Sequence, residues 1–236
     1  MPHAGPPRYE IKISCKPHHL HQVNAWVRLH PAHWLVAYPP RQINNIYFDT
    51  YDHKNLNDNL AGVGTRHKAR LRWYGPVLET VAGARLELKC RQGQVGWKET
   101  CPLNHLTLDL LRQPWTDLRR AITQAADARA KLWPAQFDYP VLINHYQRSY
   151  YVTPDQAVRL TVDSDLRAYN QRFVAYPNVR RPAPVTDRVI IELKADRQHH
   201  ARLTHILAHF PVRVDRHSKY VQGMIAAPDF DGIELL

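Results

Sequence analysis

Charged and apolar residues alternate strictly over residues 66–73 of the chain. Cations occupy every second position, at Arg66, Lys68, Arg70 and Arg72, and the residues between them are His67, Ala69, Leu71 and Trp73. Successive side chains of a β-strand point to opposite faces, so a strand here would place four positive charges on one face. Like charges in a row repel one another unless an anion meets them. The segment therefore predicts a strand whose cationic face binds an anionic ligand, with a solvated strand face as the alternative.

The same alternation recurs in other segments of the chain. Charged or polar residues share one face in the sets Glu10/Lys12, Glu87/Lys89, Arg159/Thr161/Asp163 and Glu192/Lys194. Many alternating segments of this kind are typical of an antiparallel sheet that curls or closes. If the polar faces point inward, the interior carries mostly cations and a few carboxylates, and each buried ion is costly unless it is paired. Such an interior requires water and is best compensated by a bound polyanion.

The remaining patterns predict helices and connecting segments around this sheet. Further strands are predicted over residues 43–48, 97–101, 141–152 and 167–175, helices over residues 17–30, 105–132 and 197–210, and a loop over residues 55–64. Leu203, Ile206 and Phe210 recur at helical spacing, so the last of these helices has one apolar face. No change in composition indicates a second domain. We therefore predict a disordered tail over residues 1–7 and one domain over residues 8–236.

The charge balance indicates an anionic partner. The chain has 236 residues, with 32 basic and 21 acidic side chains and a formal net charge of +11. Such an excess favours nucleic acid, an anionic membrane surface or phosphate compounds, and composition alone does not choose among them. Aromatic residues in and next to the cationic strand are limited to Trp73 and Tyr74. These are few stacking surfaces, so nucleic acid is not the expected partner.

Cysteine and hydrophobic content favour a cytoplasmic protein without direct membrane insertion. The three cysteines are an odd number and lack the CxxC spacing of a zinc site, so a disulfide framework is not expected. No apolar run reaches the length of a membrane-spanning helix, and residues 1–7 lack the apolar core of a signal peptide. The histidines at positions 18, 19, 21, 199 and 200 are expected to be solvated helix residues, not metal ligands.

The strand segments, in their order and spacing, resemble the VTC (vacuolar transporter chaperone) domain, the polyphosphate polymerase branch of the triphosphate tunnel metalloenzymes. The resemblance extends over residues 8–225 and includes Arg8-Tyr9-Glu10-Ile11-Lys12, Lys68-Ala69-Arg70-Leu71-Arg72-Trp73, Leu86-Glu87-Leu88-Lys89, Tyr146-Gln147-Arg148, Ile191-Glu192-Leu193-Lys194 and Ser218-Lys219-Tyr220. It implies an α+β fold in which eight antiparallel strands form a closed β-barrel, a tunnel with helices packed on its outside. In that family the basic interior holds triphosphate, nucleotide or a polyphosphate chain.

The resemblance also implies the residues of the site. The catalytic phosphate clamp would be Lys12, Arg70, Arg72, Lys89, Lys98, Arg148, Arg159 and Lys219, and further substrate contacts would come from Tyr146, Ser218, Lys194 and Lys68. Glu192 matches the metal-binding carboxylate of the family and Glu10 is its companion, so Mn²⁺ or Mg²⁺ is the expected cofactor. Simpler roles stay open: a salt bridge between Glu192 and Lys194, a surface pair of Lys89 with Glu87, surface positions for Lys98 and Arg148, and an exposed turn at Ser218.

One departure from the family pattern bears on the reaction. The triphosphatase and cyclase branches of the superfamily carry Glu-x-Glu-x-Lys on the first strand, where this chain has Arg8, Glu10 and Lys12. Loss of the first carboxylate weakens a second metal site and the activation of a hydrolytic water, which favours the polymerase branch. The implied reaction transfers the γ-phosphate of ATP to a growing inorganic polyphosphate chain. The alternatives are a metal-dependent inorganic triphosphatase or nucleoside triphosphatase, and a non-catalytic polyphosphate-binding module.

Overall fold

Eight β-strands form the framework of the protein. The computed structural model describes residues 8–93, 95–184, 188–208, 210–212 and 219–226, so the predicted tail over residues 1–7 lies outside the described part. The strands are β1 (Arg8–Cys15), β2 (Leu35–Asp49), β3 (Thr65–Tyr74), β4 (Thr80–Gln92), β5 (Val95–Asp109), β6 (Tyr139–Val152), β7 (Val158–Asn170) and β8 (Val189–Asp196). The predicted strands fall at least partly within these eight, except a short strand predicted over residues 211–215, of which residues 211–212 form a bend and residues 213–215 lie outside the described part.

The described part also contains six α-helices and two short 3₁₀ helices, of which α1 to α4 lie between strands and α5 and α6 follow β8. The α-helices are α1 (Leu20–Leu29), α2 (Lys54–Leu60), α3 (Trp115–Ala125), α4 (Leu132–Gln136), α5 (His200–Leu207) and α6 (Lys219–Ile225), and the 3₁₀ helices are Pro17–His19 and Arg197–His199. The helices predicted over residues 17–30 and 197–210 are thus confirmed, because α1 and α5, each preceded by a 3₁₀ helix, lie within those ranges. No helix among the described residues is long and apolar enough to cross a membrane.

The loop predicted over residues 55–64 is wrong in its first half, which forms α2. The carboxylate of Asp49 is fully buried and accepts the backbone N–H groups of Asn55 at 2.8 Å and of Leu56 at 3.1 Å. A carboxylate at this position satisfies N–H groups that have no partner inside the helix and interacts favourably with the helix dipole. Because it lies several residues before the helix, local sequence patterns did not reveal it.

The segment predicted as helical over residues 105–132 is divided between a strand and two helices. Its first residues complete β5, because they pair with the start of β4 and place Leu108 in the core. Pro114 then precedes α3 as its N-cap residue, and residues 126–131 separate α3 from α4. The prediction of helix over residues 105–109 is therefore wrong, because sheet pairing outweighs local composition.

The eight strands belong to one sheet, in the order β1-β8-β7-β6-β2-β3-β4-β5. The pairs β1–β8, β7–β8, β3–β4 and β4–β5 are antiparallel. An eight-stranded antiparallel sheet accompanied by a few helices is therefore confirmed. Within the described part the order runs from β1 to β5 without hydrogen bonds that join those two strands, so closure of the barrel stays a prediction.

The chain divides into two compact units. The first comprises the described parts of residues 1–43, 146–166 and 187–218, and the second those of residues 44–145, 167–186 and 219–236. In the first unit, apolar residues of β1, β7 and β8 pack in one core with α1 and α5, and Ile191 is fully buried there. Alternate residues of these strands, from Lys12 across Glu192 to Thr161, lie on the opposite face.

The second unit repeats this division between an apolar and a polar face. Leu71 of β3 and Leu86 of β4 are opposite each other and fully buried in a core that α3 and α4 cover. The alternate residues Arg70, Glu87 and Thr100 lie in register across β3, β4 and β5 on the other face. Strand alternation therefore places the predicted charged residues of both units opposite their apolar cores.

Candidate functional site

The polar face of β3, β4 and β5 carries a group of charged side chains centred on Glu87. Arg70 donates from Nε and Nη2 to Glu87 Oε2 at 2.8 and 2.6 Å, and Lys98 Nζ donates to Glu87 Oε1 at 2.8 Å. Arg72 Nη1 lies 3.9 Å from Oε2. We call Arg70, Arg72, Lys98 and Glu87 the Glu87 cluster. Its three cations and one carboxylate give it a formal charge of +2.

Glu87 is ionised although it is buried. Only 2% of its side chain is exposed, so the surface position considered for it is wrong. Burial alone would raise the pKa of this carboxyl, because the charged form loses its hydration. Arg70, Arg72 and Lys98 outweigh that effect and lower the pKa of Glu87 to about 2. The carboxylate therefore stays charged at neutral pH and orients the cations around it.

Arg72 is also held by a neutral amide, which sequence analysis missed. Arg72 Nε donates to Asn45 Oδ1 at 2.8 Å, and Asn45 Nδ2 donates to Asn144 Oδ1 at 2.8 Å. Both asparagines are fully buried. A neutral acceptor orients the guanidinium without cancelling its charge. The sequence did offer one signal for this contact: Asn44 and Asn45 are adjacent within the strand predicted over residues 43–48. Buried amides in a strand need specific hydrogen-bond partners.

Three predicted lysines lie in register on this same face. Lys68 is opposite Lys89 on β4, and Lys89 is opposite Lys98 on β5. Lys89 and Lys98 are exposed, whereas Lys68 is half-buried and places its Nζ 5.5 Å from the centre of the Tyr220 ring. Lys98 belongs to both groups, so Lys68 and Lys89 extend the cationic surface of the Glu87 cluster along β3 and β4.

Tyr220 anchors the start of α6 in the second unit. Its hydroxyl donates to Asp49, the carboxylate at the start of α2, and its ring packs against Tyr47. Burial and the adjacent Asp49 raise the pKa of Tyr220, so the hydroxyl remains a donor. Lys219, a predicted clamp residue, is the first residue of α6, and the predicted contact Ser218 lies outside the described residues.

The polar face of the first unit carries a second charged group, centred on Glu192. Lys194 Nζ lies 2.6 Å and Lys12 Nζ 3.9 Å from Glu192 Oε1. Glu10 contacts the same two lysines, at 2.8 Å from Lys12 and 3.7 Å from Lys194. We call Lys12, Lys194, Arg148, Glu10, Asp163 and Glu192 the Glu192 cluster. The salt bridge between Glu192 and Lys194 that the sequence left open is thus present.

Arg148 joins this cluster through Asp163, a partner that sequence analysis missed. Its Nε and Nη2 donate to the two oxygens of Asp163 at 2.5 and 2.7 Å, and Nη2 lies 3.8 Å from Glu192 Oε2. The guanidinium also lies 5.3 Å from the centre of the buried Tyr146 ring. With 13% of its side chain exposed, Arg148 is not the surface residue considered as an alternative.

The Glu192 cluster neutralises its own charges. Burial alone would raise the pKa of Glu192, but Lys12 and Lys194 outweigh burial and hold it well below its usual range. Burial would likewise lower the pKa of Lys12, yet Glu192 and Glu10 raise it. The cluster contains three cations and three carboxylates, so each type of charge stabilises the other in place.

The sequence of this chain matches the model of the VTC domain over residues 7–227. The protein belongs to the VTC domain family. The resemblance seen in the strand motifs is therefore confirmed, and membership supports an enzyme of the triphosphate tunnel type that acts on phosphate compounds. No curated protein matches the sequence.

Three solved structures that are similar to this VTC domain are distant from it in sequence. A Hippeastrum protein, a candidate adenylyl cyclase with a dominant triphosphatase activity, is 14% identical with a TM-score of 0.52, over 91% of this chain and 93% of that chain. A candidate adenylate cyclase from Vibrio parahaemolyticus is 12% identical (TM-score 0.48, 94% and 99% covered), and a Pyrococcus horikoshii OT3 protein is 11% identical (TM-score 0.44, 92% and 98% covered). The likeness to the Hippeastrum protein shows a common fold.

Membership of the VTC family implies a divalent metal ion, and the carboxylates of the Glu192 cluster are its candidate ligands. Among the residues described, no three His, Cys, Asp or Glu side chains converge as a ready-made metal site. Mg²⁺ is commonly bound by one or two carboxylates together with substrate phosphates. Glu192 and Glu10 lie close together, because both pair with Lys12 and Lys194. They fit a metal ion that is bound by these two carboxylates and by the phosphate groups of a substrate.

Two further residues lie on the polar face of β7. Arg159, a predicted clamp residue, is exposed and opposite Lys194 in register. Thr161 is opposite Glu192, and its buried hydroxyl oxygen has no hydrogen-bond partner in the described part of the chain. A buried polar atom without a partner is unusual, so this hydroxyl is a spare hydrogen-bonding group beside the central carboxylate.

Proposed function

We propose that this VTC domain is a polyphosphate polymerase, an ATP:polyphosphate phosphotransferase. The observation that carries the proposal is the Glu87 cluster, where three cations surround one carboxylate on a face that continues into a row of lysines. A formal excess of positive charge on a partly desolvated surface is suited to a polyanion. Family membership narrows that polyanion to phosphate compounds.

In the proposed reaction, a terminal oxygen of the polyphosphate chain forms a bond to the γ-phosphorus of ATP. The bond from that phosphorus to the β–γ bridging oxygen breaks, ADP leaves, and no side-chain nucleophile is needed. Arg70 and Arg72 would bind non-bridging oxygens through paired N–H groups, and Lys68, Lys89 and Lys98 would act as point charges. These contacts would favour the transition state, in which charge is spread over the transferred oxygens.

The remaining predicted residues belong to the same proposal. Glu192 and Glu10 would hold Mn²⁺ or Mg²⁺, which when bound neutralises charge on phosphate oxygens. The other substrate contacts would be Lys12, Arg148, Arg159, Lys194, Lys219, Tyr146 and Ser218. The proposed partners are ATP and inorganic polyphosphate or triphosphate, and the use of ATP fits a cytoplasmic location.

A metal-dependent triphosphatase is the second candidate function. The similar Hippeastrum protein has a dominant triphosphatase activity, which favours this candidate. Hydrolysis, however, needs an activated water, and the first strand has Arg8 at the position where the Glu-x-Glu-x-Lys pattern begins with a carboxylate. That substitution favours the polymerase. A polyphosphate-binding module without turnover would use the same cations.

Incubation of the purified chain with ATP and Mn²⁺, followed by sizing of the products on a gel, distinguishes these functions. We expect phosphate chains that lengthen with time, with one ADP released for each phosphate added. Orthophosphate release without chain growth would establish the triphosphatase instead. Polyphosphate binding without either product would leave only the binding module. Chelation of the metal should stop chain growth and leave the fold intact.

A further inference from the structure

The second unit contains a cavity of about 370 Å³ between the apolar face of its strands and the helices α3 and α4. Phe48, Ala69 and Leu86 line it from the sheet, and Trp133 and Phe137 line it from α4 and the residue that follows. Ala69 leaves space because it presents only a methyl group. Protein interiors are packed with few voids larger than a water molecule, whereas ligand pockets begin at about 300 Å³. The size and lining are therefore those of a small-molecule site.

The charged residues of this cavity come from α3 and from the segment that follows α4. Arg119 and Arg120 line the cavity, and Arg119 forms an ion pair with Asp138, which lines it too. Solvent reaches the ion pair, because 38% of the Arg119 side chain and 50% of the Asp138 side chain are exposed. Arg120 lies 3.4 Å from Asp117, so each guanidinium at the edge of the cavity has one carboxylate partner. Ion pairs as exposed as these contribute little to stability, so the carboxylate of a ligand can replace Asp138 on Arg119. An apolar molecule with one negative group complements both the lining and the edge.

We propose that this cavity binds a small amphipathic monoanion, a carboxylate on an unbranched aliphatic chain like that of a medium-chain fatty acid. The aliphatic chain packs against Phe48, Trp133 and Phe137. The carboxylate binds Arg119 in place of Asp138. The site lies on the face of β3 and β4 opposite the Glu87 cluster, so the proposal does not depend on the polymerase activity.

Calorimetric titration of the full chain with decanoate and with decan-1-ol, both below their aggregation concentrations, tests this proposal. We expect one site that binds decanoate about tenfold more tightly than decanol, because the alcohol has no negative charge and no second oxygen to accept paired N–H groups from Arg119. Arg119→Gln should weaken decanoate binding by about the same factor and leave decanol binding unchanged. Asp138→Asn should strengthen decanoate binding, because it removes the competing carboxylate.

A matched control is available in the first unit. Arg202 pairs with Asp155 at nearly the same exposure, 35% and 51% of the two side chains, so Arg202→Gln should leave decanoate binding unchanged. Thr123→Phe, which fills the cavity from α3, should remove binding of both ligands while thermal unfolding shows that the variant folds. Absence of decanoate binding, equal affinity for both ligands, or equal losses in the Arg119 and Arg202 variants would overturn the proposal.

Discussion

The Glu87 cluster and the Glu192 cluster are alike at their centres and differ in the charges around them. Each has a buried carboxylate, with 2% and 8% of the side chain exposed, and three surrounding cations. Glu10 and Asp163 bring the Glu192 cluster to formal neutrality, whereas the Glu87 cluster has a formal charge of +2. The Glu87 cluster is suited to an anion. The Glu192 cluster offers carboxylates that could bind a metal ion while they also pair with the lysines.

The central carboxylate explains how each cluster can persist inside a folded chain. Burying a charge without a partner costs several kcal/mol, so a group of cations alone would not be stable there. Arg70 and Lys98 contact different oxygens of Glu87, which sets their directions before any ligand binds. In the Glu192 cluster, by contrast, the carboxylates match the cations in number. Altering the two clusters should therefore have different consequences.

Removal of a guanidinium from the Glu87 cluster should have the largest effect. Arg70→Ala or Arg72→Ala is expected to lower kcat with ATP by about 10²–10³-fold, the effect of losing one preorganised donor to a transition-state oxygen. The thermal midpoint should fall as well, because both arginines help to stabilise the buried carboxylate of Glu87, but Lys98 continues to pair with Glu87 and each variant should still be folded at the assay temperature. Steady-state kinetics measures the loss, with Arg202→Ala as an exposed arginine control. Full activity of either cluster variant would show that these side chains do not contact the substrate.

Lowering the pH should show how much the surrounding cations stabilise the ionised carboxylate of Glu87. Its pKa is about 2 in the folded chain against an ordinary value of 4.5, so the unfolded chain takes up the proton first as the pH falls. The stabilisation is therefore complete above about pH 4.5 and is lost as the pH falls towards 2. The shift corresponds to about 3 kcal/mol for this buried group.

Urea unfolding of the wild type and of Glu87→Gln, from about pH 6 to about pH 2.5 in chloride buffers, measures this contribution. Over this pH range the free energy of unfolding should fall further in the wild type than in Glu87→Gln. The difference between the two falls should be most of the roughly 3 kcal/mol, because the other carboxylates titrate equally in both proteins. Parallel curves for the two proteins would mean that the cations do not stabilise the carboxylate.

Metal dependence should separate the two central carboxylates. Glu192→Gln is expected to raise the Mn²⁺ concentration for half-maximal activity by about tenfold or more, whereas Glu87→Gln should leave that concentration unchanged. Triphosphate binding without metal should survive in Glu192→Gln, because the cations remain. Activity assays over a Mn²⁺ series, with calorimetry of triphosphate binding, provide both readings. The same metal requirement in both variants would place the metal away from Glu192.

The charge alternation predicted the polar faces of the strands but not the pairing on them. Lys68, Arg70 and Arg72 share a face in any register. Which of them meets Glu87 depends on how β3 and β4 are aligned, and a shift of two residues would place Lys68 or Arg72 opposite Glu87 instead of Arg70. The pair of Arg148 with Asp163 depends similarly on the neighbouring strands β6 and β7.

The family resemblance supplied the strand number and most of the cations, because those follow motifs along the chain. It did not supply Asn45, whose contact with Arg72 arises between neighbouring strands and leaves no periodic signal. Local composition also failed for residues 105–109, where pairing with β4 outweighs helix preference. The sequence therefore predicted what each strand presents, and long-range pairing determined what each side chain contacts.

Replacement of the neutral amide beside Arg72 should have the smallest of these effects. Asn45→Asp turns the acceptor that lies 2.8 Å from Arg72 Nε into a carboxylate, which should stay ionised next to the guanidinium. The added charge would lower the formal charge around Glu87 by one. We expect triphosphate affinity, measured by calorimetry, to fall by about tenfold, roughly the strength of one charge-assisted hydrogen bond.

Asn45→Ala is the matched control for this change, because it removes the acceptor without adding a charge. If charge decides binding, the Asp variant should bind triphosphate more weakly than the Ala variant and with a shallower dependence on salt. Equal weakening in both variants would mean that Asn45 acts only by orienting Arg72. If Asn45→Asp kept the affinity and salt dependence of the wild type, excess positive charge could not be what distinguishes the Glu87 cluster from the Glu192 cluster.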